Sequence, residues 1–315
     1  MRVGPNEVHI RDAAFYSSLY NMTIKVDKYP YFYKQFGVGD TAFTAVSPEL
    51  HRVRRAALAP YFTQKVIQSL APRIQSLSTQ LVERMKLCQQ TGQPVPLFYS
   101  FRCLTVDLIS QHIFGQPLGL LERPDWGKAF YASNRSLWQI TPVIKQMPWL
   151  LDVLICLPRS VTAATSPDAL EVLDHRARVD LKTMEALNAP EPTEKGARDS
   201  IVKGLARDTG LPQSDRIPER IRNEVFTLLA AGFETTGATL SRMTYLVLAN
   251  DDVRQKLMAE LRKAIPDPAN IPDWHTLEKL PYLFAVVKES LRYVSLSSLL
   301  LKVRKLVLAY VTNVT

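Results

Sequence analysis

Leu228-Leu229-Ala230-Ala231-Gly232-Phe233-Glu234-Thr235-Thr236 lies midway along the longest helical run of the chain, Pro218 to Asn250. Leu228 to Ala231 is wholly apolar, which predicts a buried central helix with other helices packed on it. Gly232 inside such a helix costs ~1 kcal/mol relative to Ala, so its presence asks for a reason. Thr235 and Thr236 can hydrogen-bond to the preceding turn and bend the helix. Glu234 is a charge in an apolar neighbourhood, expensive to bury without a partner. Two readings stand side by side. A glycine gap beside an acid–alcohol pair makes a groove with a proton relay, as oxygen activation over a flat metal cofactor requires. Alternatively, this is an ordinary core helix with a packing glycine and a solvent-facing Glu234.

On either side the pattern is helical almost throughout. Glu7 to Ile10 alternates and predicts a short strand, and Asp12 caps a helix to about Tyr20. Residues 21–46 read as an irregular loop. Ser47-Pro48-Glu49 is a helix start, with a hydroxyl cap, Pro in the first turn and an acid at the positive end. Helices follow over Thr63–Gln90 (interrupted at Ala71-Pro72), Ser100–Phe114, Asp125–Ile140 and Pro167–Leu187. Residues 147–157 form an apolar connector bounded by prolines, and 188–198 a solvated linker. Asp199–Arg207, Asp252–Ala264 and Pro281–Tyr293 complete a mostly α chain with minimal strand.

The composition, 46% hydrophobic and 22% charged, is globular. Cys88, Cys103 and Cys156 form no close pair, which excludes a disulfide framework or structural zinc site and predicts reduced thiols. Lys302, Arg304 and Lys305 supply three of the net +9 charges, in a tail without Asp or Glu. The remaining +6 (9 − 3) is modest, and no aromatic-basic module for nucleic acid is present. No run reaches the ~18 apolar residues of a membrane span. The glycosylation patterns at Asn21, Asn134 and Asn313 carry no meaning without a secretory route.

Two further constellations matter. His51 and Arg55 lie four apart on one helix face; a pair of donors there suits a carboxylate or phosphate ligand, or is simply a solvated basic face. Glu289 and Arg292, three apart, can pair, and Val286, Val287 and Leu291 around them predict partial burial and a clamp.

In this order the three constellations resemble the cytochrome P450 family, and most of all filamentous-fungal, trichodiene-oxygenase-like members of secondary metabolism. The opening, Val3 to Ile10 with Asp12 and Tyr16, is also similar to that family's early strand and B helix. The resemblance covers residues 1 to about 293 and implies an incomplete cytochrome P450 fold, B helix through K helix. It implies a haem-thiolate monooxygenase that inserts oxygen into an apolar organic substrate. In it His51 and Arg55 hold haem propionates, Ala231 and Gly232 lie over the haem, and Glu234 and Thr235 deliver protons. Glu289 and Arg292 are structural, and Phe233 lines the substrate side. It further implies an NADPH-dependent reductase as partner, met by Arg52 and Arg54. The intact relative would lie on the cytosolic face of the endoplasmic reticulum, with a membrane-facing entrance at 147–157.

The chain departs from the family at both ends. The membrane anchor has no counterpart before Met1. Residues 294–315, beginning 2 residues after Arg292, hold no Pro, Gly or Cys, so the haem loop and its iron-binding Cys are missing. Cys103, inside a helix, and Cys156, in the connector, lack the glycine-rich loop that stabilises a thiolate. The expectation is a partial domain over 1–293, a non-family tail over 294–315, and a chain that is inactive as written. A truncated relic or a haem-free helical binding protein is the rival reading.

Overall fold

The computed structural model describes residues 1–293 except 5–6, 13, 20–24, 166, 191–199 and 269. The tail expected over 294–315 and the sequons at Asn21 and Asn313 therefore lie outside the described residues. In chain order the helices are α1 (Phe15–Leu19), α2 (Pro30–Tyr33), α3 (Pro48–Leu58), α4 (Gln64–Ser69), α5 (Ala71–Gln90), α6 (Leu97–Phe114), α7 (Lys128–Gln146), α8 (Trp149–Cys156), α9 (Arg159–Thr165), α10 (Pro167–Asn188), α11 (Ile201–Arg207), α12 (Pro218–Ala249), α13 (Asp251–Ala264), α14 (Trp274–Leu277) and α15 (Pro281–Tyr293). Strands β1 (Arg2–Gly4) and β2 (Glu7–Val8) pair antiparallel, with Arg2 opposite Val8. The chain is mostly α, as its patterning predicts.

Local chemistry sets most of the boundaries. The Ser47 hydroxyl accepts from the Leu50 amide at 3.2 Å, and Pro48 opens α3. The Asp12 carboxylate accepts from Ala14 N at 2.9 Å ahead of α1. The Asp125 carboxylate takes the Gly127 and Ala129 amides, each at 3.1 Å, and so caps α7 rather than joining it. Three expectations are corrected. The loop over 21–46 contains α2 and a 3-10 turn over Lys34–Phe36. Helix α7 runs on to Gln146 through Pro142. The connector 147–157 is itself helical, as α8, because Trp149 to Cys156 holds no Gly or Pro to break it.

The core is a close crossing of α6 and α12, with α10 and α7 laid against it. Two glycines set that approach. A Cβ at Gly232 would lie 2.6 Å from Cγ1 of Ile109, and one at Gly237 would lie 2.8 Å from Cγ and 3.1 Å from Cα of Arg102. Val106 and Ile113 of α6 and Val225, Leu229 and Phe233 of α12 fill the layer between them. Among the described residues no helix is long and apolar enough to cross a membrane.

Candidate functional site

Helix α12 has two unlike faces. On one, Leu229, Phe233, Glu234 and Gly237 are buried against α6. On the other, Ala231, Thr235 and Thr236 are exposed and Leu228 is half-buried. The Thr235 hydroxyl donates to the Ala231 carbonyl at 3.0 Å, and that of Thr239 to the Thr235 carbonyl at 2.8 Å. These are the back-bonds that Thr makes inside a helix. They leave an open strip of small residues with a hydroxyl at its centre.

Four expectations meet a different placement in the structure. Glu234 is on the buried face, where its carboxylate takes both Nη2 (2.7 Å) and Nε (3.2 Å) of Arg102. The Arg102 guanidinium also lies over Phe98, 3.8 Å from the ring centroid. A carboxylate held in that fork is not solvent-facing, and its oxygens are turned to Arg102. Gly232 is a packing glycine, since Ile109 occupies the space its side chain would need. Phe233, 1% exposed, is core rather than lining, with its ring 5.7 Å from that of Phe130.

Arg54 supplies the fourth. It faces inward, 4% exposed, with Nε and Nη2 on the two oxygens of Asp215 at 2.8 and 2.9 Å and Nη1 on the Thr41 carbonyl at 3.3 Å. Arg220 joins the cluster and pairs with Glu224 at 2.6 Å, and Glu224 accepts from the Ala42 amide at 2.9 Å. The Arg54 hydrogen bonds hold the Asp215 carboxyl below the usual range, against a smaller opposing effect of burial. The cluster joins residues 41–42, α3, the turn at 213–215 and α12. Arg54 therefore cannot meet a reductase.

His51 and Arg55 do share a face of α3, with His51 half-buried and Arg55 exposed. Burial first, then the charges of Lys28 and Arg55, lower the His51 pKa, so its ring is neutral near pH 7. Glu289 and Arg292 form their expected pair, Nε to Oε2 2.8 Å, but at the surface, with side chains 55% and 67% exposed. The burial expected from Val286, Val287 and Leu291 is not found, since Val287 and Leu291 are themselves exposed.

The described residues include two features of the kind a flat, acid-bearing group would use: the small-residue strip on α12 and the donor pair of His51 and Arg55 on α3. They do not supply an iron ligand. The Cys103 thiol is buried, donates to the Trp126 carbonyl at 3.2 Å and is pushed up to about 12, chiefly by burial. Cys88 packs at the core edge on α5, and Cys156 is exposed on α8. Among the described residues no group of three or more His, Cys, Asp or Glu is placed to hold a metal. Residue types alone point to His51, Arg55 and Thr235. Arg102, Asp215 and Arg220 carry no motif, and only the packing reveals them.

The comparisons agree with this architecture. The family model described as Cytochrome P450 matches residues 10–308, past the end of α15. The chain is 32% identical over 293 residues to tryptophan 6-hydroxylase fscE of Fusarium equiseti, covering 93% of this chain and 58% of that protein. It is 32% identical to N-acetyltryptophan 6-hydroxylase ivoC of Emericella nidulans (93% and 58%) and 31% identical to cytochrome P450 monooxygenase tpcC of Cochliobolus heterostrophus (93% and 56%). The chain thus spans less than two thirds of the length of these relatives. A crystal structure of a cytochrome P450, CYP102L1, superposes with a TM-score of 0.67 at 21% identity, over 88% of this chain and 61% of that one.

Proposed function

We propose, from the premise that the chain belongs to the cytochrome P450 family, that it forms the oxygen-side half of a haem monooxygenase. The observation that carries this reading is the open strip of α12, where Ala231 and Thr235 are exposed and the Thr235 hydroxyl is oriented by the Ala231 carbonyl. Haem, when bound in a complete site, supplies the activation of molecular oxygen for insertion into an organic substrate. Ala231 leaves room on the strip. The Thr235 hydroxyl gives its proton to Ala231 and keeps its lone pairs for a water, so it can hold a proton donor over the open face. His51 and Arg55 hold the two acid groups, Arg55 by charge and His51 as a neutral donor. Glu289 and Arg292 act structurally only where a complete domain covers α15; at the surface the pair contributes little. The reading takes residues 1–293 as the partial domain and 294–315 as a tail, of which the family match takes in residues up to 308.

The substrate in this reading is an apolar organic compound of fungal secondary metabolism, in keeping with relatives named as hydroxylases and monooxygenases. The electron donor is an NADPH-dependent reductase, for which exposed Arg52 remains available. An intact relative would work at the cytosolic face of the endoplasmic reticulum. Helix α8, with Trp149, Val153 and Ile155 exposed, suits contact with a membrane surface.

A second reading is a haem-free helical protein: among the described residues the Cys103 thiol is buried and held neutral, and no cysteine is grouped with other metal ligands. Titrating hemin into the full chain, with and without added imidazole, separates the two. The haem-site reading expects no thiolate-type Soret band from the chain alone. It expects saturable binding with imidazole as external ligand, weakened severalfold in His51→Leu and Arg55→Leu and unchanged in Thr235→Ala. Absence of saturable binding in imidazole would leave the haem-free reading standing.

A further inference from the structure

A second concavity lies away from the open strip. It is a cavity of ≈ 60 Å³ between the end of α6, the 118–123 segment, the start of α7 and the middle of α10. That is room for several waters or a small ligand, since one water needs about 10–15 Å³. Phe114, Leu118 and Phe130 form apolar walls. Arg123 and Arg178, both exposed, stand at its mouth. His175 lines it from within and is 3% exposed.

His175 is the unusual member. Its ring sits between those of Phe130 and Phe226, with centroids 5.0 and 5.5 Å away. Its Nδ1 has no hydrogen-bond partner. A buried polar atom left unpaired costs roughly 1–3 kcal/mol, so a bound group that satisfied it would recover that cost. Burial, reinforced by Arg178, lowers the ring to about 4, so it meets a ligand as a neutral imidazole. Acids around the cavity are already engaged: Asp107 by the Leu120 and Leu121 amides at 2.9 and 2.8 Å, Asp125 by the Gly127 and Ala129 amides, and Glu122 by Gln80 at 3.2 Å. The Arg178 Nη2 donates to the Ser133 hydroxyl at 2.9 Å, which fixes its position and leaves other donors free. A cationic mouth, apolar walls and a neutral hydrogen-bonding floor define one kind of ligand.

We propose that this cavity binds a small amphipathic carboxylate, its acid group on Arg123 and Arg178 and its far end hydrogen-bonded to His175. The site is separate from the haem reading. It reaches α12 through the aromatic layer of Phe130 on Phe233 and His175 on Phe226. That layer would let an occupant bear on the segment that carries Thr235.

Calorimetric titration of the full, haem-free chain tests it with three probes: 6-hydroxyhexanoate, hexanoate and neutral 1,6-hexanediol. The expected result is saturable binding of 6-hydroxyhexanoate, about tenfold tighter than the diol and severalfold tighter than hexanoate. In Arg123→Gln/Arg178→Gln, which alters only exposed side chains, the advantage over the diol should vanish. In His175→Phe, which keeps an aromatic ring in the layer, the advantage over hexanoate should vanish. Absence of saturable heat from a chain that melts cooperatively would overturn the proposal, with the cavity then holding water only. A charge preference that survives the double arginine variant would also overturn it, by locating binding elsewhere. None of these outcomes depends on whether the chain binds haem.

Discussion

Arg102–Glu234 and Glu289–Arg292 are the same chemical pair in two settings. Each brings Nη2 and Nε of one arginine to the two oxygens of one glutamate. The first joins α6 to α12 in the core, with side chains 7% and 9% exposed; the second spans three residues of α15 at the surface, at 67% and 55%. In water the attraction is screened and two long side chains must be held still, so the exposed pair contributes little. In the core each charge has lost its hydration and depends on the other. Burial, not geometry, decides what such a pair is worth, and it decides the cost of breaking it.

The sharpest way to break the comparison is at Glu234. Glu234→Leu strands the Arg102 guanidinium in the core and should cost about 3–5 kcal/mol, read as a loss of denaturation midpoint. Arg102→Met/Glu234→Leu together should recover most of that loss, because no unpaired charge remains. A double variant as unstable as the single would mean that packing, not charge, holds the crossing. Next comes pH. Burial lowers the folded His175 ring to about 4 from the ordinary 6.5, so the folded state resists protonation. Its contribution is therefore full above pH 6.5 and lost as pH falls toward 4, roughly 3 kcal/mol in all. Between those values His175→Phe should flatten the pH dependence of the melting temperature; an unchanged slope would exclude His175 as its source.

Smaller effects lie at the margins of the comparison. Asn134 is 1% exposed, and neither Oδ1 nor Nδ2 has a partner. It is buried in α7 and unreachable for glycosylation, which agrees with setting its sequon aside. Asn134→Leu should raise stability by about 1 kcal/mol, a shift of a few degrees in melting temperature. A drop would point to a buried water bridging that amide. At the far end, Glu289→Gln should leave the denaturation midpoint where it is. A clear loss there would show that α15 is covered in solution.

Much of the fold was legible because helix signals are local. Ser47-Pro48, Pro167, Pro218 and Pro281 each stand at the first position of the helix they were expected to open, or immediately before it. The chemistry of the site was less legible. Glu234 reads as a catalytic acid only while its neighbours are unknown, and its partner lies 132 residues earlier. Arg54 and Arg55 are adjacent in sequence and both read as surface cations. One helical step of about 100° puts Arg54 on Asp215 and leaves Arg55 exposed.

By itself, then, the sequence determined a mostly α chain, the ends of its long helices and, through three spaced motifs, its family. Caps, prolines and apolar spacing act within a turn or two of chain, so they can be read without a partner. The tertiary structure alone decided which face of each helix met which other. Ile109 made Gly232 a packing residue, Arg102 removed Glu234 from the open face, and Thr235 remained on it. Such assignments depend on elements far apart in the chain, and desolvation gives a charge its role only once those elements have closed around it.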